Sequence, residues 1–269
     1  LGRKSIAVNL SDLAAMGARP RFFTVSLAVP SDLTERWLLR FYDGLTDPAW
    51  CAGARLIGGD LSHSDGTISI SVAAMGESVG RKVVYRHGGR PGDFVYATGA
   101  LGQSAAGLRL LEAGCVRPGS GPRREAVRAH RSPKARTGEG MWLARSGLVR
   151  CMMDLSDGLS VDLPRMCAAS AVGAEIEAAR VPVFAASREW GCDPLELALD
   201  GGEDFELLFA VSPAGSRTLE KKVPSSFPRI TRIGTLTREA GRVFLLDPAK
   251  GRRPLAERGY DHFRGRARK

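Results

Sequence analysis

The stretch that most constrains this chain is Ala7 to Pro20, AVNLSDLAAMGARP. Ile6, Leu10, Leu13 and Gly17 fall on one stripe at helical spacing, and Gly17 followed by Pro20 reads as a helix stop. Asp12 lies off that stripe, near Asn9 and Met16, on a face that is otherwise small or apolar. A carboxylate there is expected to be held away from bulk water, where it needs a cation. An Arg or Lys partner and a metal ion both satisfy that need, and the helix by itself leaves the choice open. Further carboxylates recur in glycine-flanked, apolar settings: LIGGD (Leu56 to Asp60), MDLSDGL (Met153 to Leu159) and GGEDFEL (Gly201 to Leu207).

At 269 residues the chain is long enough for one large domain or two smaller ones. The sequence contains no run of 18 apolar residues, so no membrane-spanning helix is expected, and no signal-peptide pattern opens it. Cys51, Cys115, Cys151, Cys167 and Cys192 are odd in number and form no CxxC pair. That argues against a disulfide framework or a zinc site and for a reducing, cytoplasmic setting. The four histidines show no ligand spacing and read as ordinary polar residues. The net charge of +10 raises the question of nucleic acid, but the basic blocks at Arg117 to Arg136 and in the tail interleave no aromatics. The charge is better read as an Arg-rich surface that draws in small polyanions, with no nucleic-acid and no membrane partner.

Along the chain, Phe23, Val25, Leu27 and Val29 alternate as a strand, and Asp32 is a plausible N-cap for a helix through Leu45 with Tyr42 at its middle. Arg55 to Ile57 reads as a short strand ending at Gly58-Gly59-Asp60, where glycines let backbone amides approach a ligand. Thr67 to Val72 alternates as a further strand, and the basic segment Gly80 to Pro91 is taken as the junction between two halves. Phe94 to Tyr96 is a strand leading through Thr98-Gly99 into a helix from Gln103 to Glu112. Arg117 to Gly140 is expected to be a loop with one short helix. After a strand at Cys151 to Met153, Ser156 or Asp157 is placed to cap a helix through Met166. Capping does not account for Asp154, Asp157 and Asp162 together, because three like charges repel unless a cation is shared. Phe205 to Val211, Ile230 to Gly234 and Val243 to Leu246 complete the expected strands. No GxxxxGK[ST] loop and no dinucleotide-binding glycine spacing is present, which disfavours two large nucleotide-binding classes. Converging oxygen ligands without His or Cys suit Mg²⁺ with substrate phosphates, and so a reaction on phosphates.

Taken in order, AVNLSDLAAMGARP, LIGGD, MDLSDGLSVDL, DGGEDFELLF and GYDHF resemble thiamine-monophosphate kinase, over nearly the whole chain. That family belongs to the ATP-binding superfamily of aminoimidazole ribonucleotide synthetase, selenophosphate synthetase and a hydrogenase maturation factor. The resemblance implies an α/β (α+β) fold in two halves, residues 1–88 for ATP and metal and residues 89–269 as a synthetase-like domain. It implies a homodimer that converts ATP and thiamine monophosphate into ADP and thiamine diphosphate. Carried over by position, Asp12, Asp60 and Asp154 would ligate Mg²⁺, with Asp157 on a further ion. Tyr42, Gly59, Asp60, Arg86 and Ser156 would contact ATP, Arg86 acting electrostatically, and Glu203 and Tyr260 would contact the thiamine moiety. The family opens with a glycine-aspartate motif and a Ser-Thr-Asp motif that this sequence lacks, so an N-terminal segment ahead of Leu1 is expected. A sister ATP-dependent synthetase is the alternative activity. A basic nucleic-acid-binding module is a remote one, distinguished by steep salt dependence on a generic duplex.

Overall fold

Alternation of apolar residues in Phe23, Val25 and Leu27 gives a strand with one buried face, and in the computed structural model these three side chains are about 1% exposed. The structure describes residues 1–79, 83–115, 117 and 119–259. It forms two compact units, Leu1–Val84 with Arg131–Gly147, and Tyr85–His130 with Leu148–Lys269. Residues 131–147, which follow the expected junction at 88/89, thus belong to the first unit.

In the first unit, α1 (Gly2–Ala15), β1 (Ala18–Val29), α2 (Glu35–Cys51), β2 (Arg55–His63) and β3 (Ser69–Ser78) follow one another. The sheet order is β2-β1-β3, with β2 parallel and β3 antiparallel to β1. Ile6 and Leu10 of α1 join Phe41, Leu45 and Ala49 of α2 over the buried face of β1. Two local expectations need correction. Thr34, not Asp32, caps α2, its hydroxyl accepting from Trp37 N at 3.3 Å, and the helix runs on through Pro48 to Cys51. Gly58-Gly59-Asp60 is not a turn at a strand end but the middle of β2, paired with Thr24, Val25 and Ser26. Gly59 has a packing reason to be glycine: a Cβ there would stand 2.0 Å from Val25 O.

The second unit contains β4 (Phe94–Thr98), α3 (Gln103–Glu112), α4 (Pro122–Arg131), β5 (Val149–Asp154), α6 (Leu159–Ser170), β6 (Gly173–Glu177), α7 (Pro194–Asp200), β7 (Leu207–Val211), α8 (Pro213–Lys222), β8 (Ile230–Thr237), β9 (Val243–Asp247) and β10 (Gly251–Pro254). A further helix, α5 (Thr137–Ser146), lies in the first unit. Arg117 to Gly140 therefore holds a complete helix and the start of a second rather than a loop with one. The seven strands run β10-β9-β6-β8-β4-β7-β5, antiparallel except for the β6–β9 pair. Alternation splits the sheet's two faces. Val95, Ala97, Met153, Leu208 and Ile233 pack with Leu163 and Met166 of α6, while Tyr96 stacks on Phe209 with ring centroids 5.5 Å apart. The Tyr96 hydroxyl meets Ser216 Oγ at 2.7 Å and Glu220 Oε1 at 2.8 Å, which ties α8 to that second face. Burial pushes the phenol up to about 12, so it stays a hydrogen-bond donor.

Candidate active site

The LSDG and GGEDFE segments form one paired loop structure in the second unit. Leu155 N donates to Glu206 O at 2.8 Å, Glu203 N to Ser156 O at 2.8 Å, and Phe205 N to Leu155 O at 2.9 Å. Those bonds hold Glu203 at φ +65° and Phe205 at φ +52°, a region that costs non-glycine residues about 1–3 kcal/mol each. Gly202 lies against the other loop so closely that a Cβ would stand 2.6 Å from Ser156 O. Strain stored at a surface loop and held by cross-bonds marks a position where the side chain's direction matters.

Two acids, Asp204 and the buried Glu206, brace this arrangement. Asp204 accepts from Gly102 N at 2.6 Å and Ser104 N at 3.0 Å, standing in for a cap at the start of α3, where Gly102 offers no side chain. Desolvation pushes its carboxyl up to about 7, against the lowering effect of those N–H donors. Glu206 accepts from the Thr98 hydroxyl at 2.5 Å, and Thr98 Oγ1 in turn accepts from Leu207 N at 2.9 Å.

The cluster in MDLSDGLSVDL resolves differently from the sequence expectation. Neither Ser156 nor Asp157 caps α6; the N-cap is Gly158, at φ +104°. Asp162, fully buried, reaches back instead and accepts from Ser156 N and Asp157 N, both at 2.9 Å. Its second oxygen lies 3.0 Å from Arg165 Nη1, and Arg165 also pairs with Asp157. The cation shared by Asp157 and Asp162 is thus Arg165, one helical turn along from Asp162. Burial pushes Asp162 up to about 6, partly offset by the two amides, while the Asp157 contact first of all holds the Arg165 guanidinium above its ordinary value.

Ser156, Asp157 and Glu203 open onto one cavity of ≈ 1000 Å³, lined also by Arg109, Glu112, His130, Glu196, Asp200 and Arg258. Glu203 Oε2 is 3.2 Å from His130 Nδ1, which also lies 3.1 Å from Ser104 Oγ. The lining mixes guanidiniums with a majority of carboxylates, a setting for a ligand with both a cationic part and phosphates. Sequence reading missed His130, taken there as an ordinary polar residue, and Arg165. His130 precedes Glu203 by 73 positions in the sequence, and no local pattern signals that pairing.

The remaining sequence-derived residues fall as follows. Asp154 is buried, 8% exposed, at the end of β5 beside Leu207. Asp12 is exposed, as is Met16 at 41%, which corrects the expectation of a carboxylate away from water. The reason is the orientation of α1, which packs through Ile6, Leu10 and Ala14 and turns the Asp12 face outward. Asp60 is exposed on β2, and Tyr42 packs edge-on to Phe41 with ring centroids 5.6 Å apart. Arg86 is exposed between Tyr85 and His87, whose rings stack at 5.1 Å. Asp12, Tyr42, Gly59 and Asp60 belong to the first unit and Arg86, Asp154, Ser156, Asp157 and Glu203 to the second. Tyr260 lies outside the described residues. Among the described residues, no group of three or more His, Cys, Asp or Glu side chains is placed to hold a metal ion. The carboxylates of Asp12, Asp60 and Asp154 are nonetheless oxygen donors of the type Mg²⁺ takes when phosphates and water complete its shell. Asp157 is paired with Arg165.

The two units and the paired loops define the class. Residues 1–78 match AIR synthase related protein, N-terminal domain, and residues 90–246 match AIR synthase related protein, C-terminal domain. The thiamine-monophosphate kinase of Bacillus subtilis is 34% identical over 265 residues, 98% of this chain and 81% of that protein. That of Escherichia coli is 36% identical over 267 residues, 98% and 80%. A solved structure of AaThiL complexed with AMPPCP and TMP superposes with a TM-score of 0.82 at 31% identity, covering 97% of this chain and 80% of that one. The chain belongs to the thiamine-monophosphate kinase family within the AIR synthase related proteins.

Proposed function

We propose that the cavity beside the paired loops serves the transfer of a phosphoryl group from ATP to thiamine monophosphate, giving ADP and thiamine diphosphate. The observation that carries this reading is the GGEDFE–LSDG pair, which turns Ser156, Asp157 and Glu203 into one cavity in a chain of this family. A relative of similar fold has been solved with AMPPCP and TMP.

The acceptor is a phosphate monoester whose second ionisation lies near about 6, so it is already a nucleophile at neutral pH and needs no general base. What remains is to align two polyanions and offset their repulsion. Arg86 is proposed to lie against ATP, together with Tyr42, Gly59 and Ser156. Asp12, Asp60 and Asp154 are proposed as oxygen ligands for Mg²⁺, which when bound neutralises phosphate charge. Asp157 is proposed as a ligand of a further ion, in competition with Arg165. Glu203 offers a carboxylate to the cationic thiazolium or to the aminopyrimidine, and Tyr260 is proposed to stack on a ring of the substrate.

Two finer readings accompany the activity. A homodimer is proposed from the first unit's sheet, where Phe22, Ile57, Leu61 and Met75 are 45%, 57%, 53% and 44% exposed. Exposed apolar side chains of that size, spread over all three strands of the sheet, favour association. A cytoplasmic location is proposed from the five free cysteines. No helix among the described residues is long and apolar enough to cross a membrane.

The test is product analysis with ATP, Mg²⁺ and thiamine monophosphate, where ADP and thiamine diphosphate are expected in equal amounts. Glu203→Gln is expected to raise KM for thiamine monophosphate by roughly tenfold while leaving KM for ATP unchanged, as for loss of one charge-assisted contact. Turnover of selenide or of the aminoimidazole precursor instead of thiamine monophosphate would overturn the assignment.

A further inference from the structure

A second cavity in the second unit, of ≈ 460 Å³, is lined by Tyr96, Arg180, Pro182, Glu220, Arg229 and Arg232 among others. It shares no lining residue with the cavity at Glu203. Its volume falls within the roughly 300–1,000 Å³ of small-molecule sites. Three guanidiniums face one carboxylate there. That carboxylate, Glu220, is engaged by the Tyr96 hydroxyl at 2.8 Å and by Ser216 Oγ at 3.4 Å.

The guanidiniums are held but not consumed. Arg180 is anchored through Nε to Glu177 at 2.8 Å, which leaves its terminal nitrogens for a ligand. Arg232 places its Cζ over the Phe94 ring, 3.2 Å from the ring centroid. Arg229 makes no ion pair among the described residues and is exposed at the rim. Planar donors pre-positioned by stacking and by an anchoring carboxylate suit the oxygens of a phosphate group. We infer that this cavity is a binding site for a small phosphate-class anion, separate from the cavity at Glu203.

The backbone that lines it is bonded directly to the segment leading into α3. Gly99 N donates to Arg229 O at 2.9 Å, and Leu101 N to Pro182 O at 2.7 Å. The next residues of that segment, Gly102 and Ser104, hold Asp204 beside Glu203. An anion that steadies Arg229 and Pro182 therefore also steadies the frame on which the Glu203 loop rests, and the coupling is reciprocal.

Calorimetric titration with inorganic diphosphate and with glycerol phosphate, in EDTA so that metal-dependent nucleotide binding is silent, tests this without relying on kinase activity. Saturable binding is expected for one or both probes, and the preferred probe separates a free anion from a phosphate ester as the natural ligand. Arg229→Gln and Arg180→Gln, both on exposed side chains, are each expected to weaken binding about tenfold. Hydrogen exchange at the Gly99 and Leu101 amides is expected to slow on binding. Absence of saturable binding, or unchanged affinity in both Arg variants, overturns the site; unchanged exchange at both amides overturns the coupling.

Discussion

Asp204 shows how one side chain here serves the fold rather than the chemistry. Its carboxyl caps α3 while sitting where water is largely excluded, and desolvation pushes its pKa up to about 7 from an ordinary value of 3.8. Between those two values the folded state binds more protons than the unfolded chain, so stability falls as pH rises through that window and levels off above it. The parent is therefore expected to lose urea resistance between pH 4 and pH 7, a window set by those two values. Asp204→Asn keeps one acceptor but loses the titration, so about 1–2 kcal/mol of baseline stability goes and the slope flattens. An Asn variant with the parent's full slope would show that the pH response lies elsewhere. Arg165 offers a companion test, since it is the counter-charge for both Asp157 and Asp162. Its removal strands a fully buried carboxylate, and Arg165→Ala is expected to cost about 1–3 kcal/mol by chemical denaturation, a figure kept low because the guanidinium is half exposed.

At the scale of elements, what the sequence makes legible is what local periodicity encodes. The α1 stripe, the alternation in β1 and the helix from Gln103 to Glu112 all appear at their expected places. The sequence pattern of β2 stops short because Gly58 and Gly59 carry no side chain to extend it, although strand pairing with β1 continues through them. β10, Gly-Arg-Arg-Pro, is exposed throughout and has no buried face to betray it. Capping preferences point to residues before α6, whereas the acceptor is Asp162, inside its first turn. The co-location of Ser156, Asp157 and Glu203 was legible only through the family resemblance, since they meet by a loop pairing that spans 47 positions from Ser156 to Glu203. Helix contact in the first unit provides an element-scale prediction. A Cβ at Gly140 of α5 would stand 2.1 Å from Ala14 O of α1, whereas one at Gly138 meets nothing within 4 Å. Gly140→Ala is expected to destabilise by about 1–3 kcal/mol as the helices are forced apart. Gly138→Ala, in the same helix, is expected to be neutral or to gain up to about 1 kcal/mol from helix propensity. Equal denaturation midpoints for the two variants would contradict the close crossing.

The whole molecule adds a question that neither residue nor element answers, namely what covers the first unit's sheet. Among the described residues β2 pairs with β1 alone, and all nine of its residues are exposed, including Leu56, Ile57 and Leu61. Burying a side chain of that size releases about 1.5–3 kcal/mol, so a handful of them in a self-complementary contact outweighs the cost of holding two copies together. A charge at the centre of such a contact would be buried without a partner in both copies at once. Leu61→Lys is therefore expected to convert the proposed dimer into a monomer in sedimentation equilibrium at micromolar concentration. Far-ultraviolet circular dichroism is expected to stay the same, because Leu61 is 53% exposed within one chain and supports no core there. A parent chain that sediments as a monomer, or a Lys variant as dimeric as the parent, would mean that this sheet is not the surface by which copies associate.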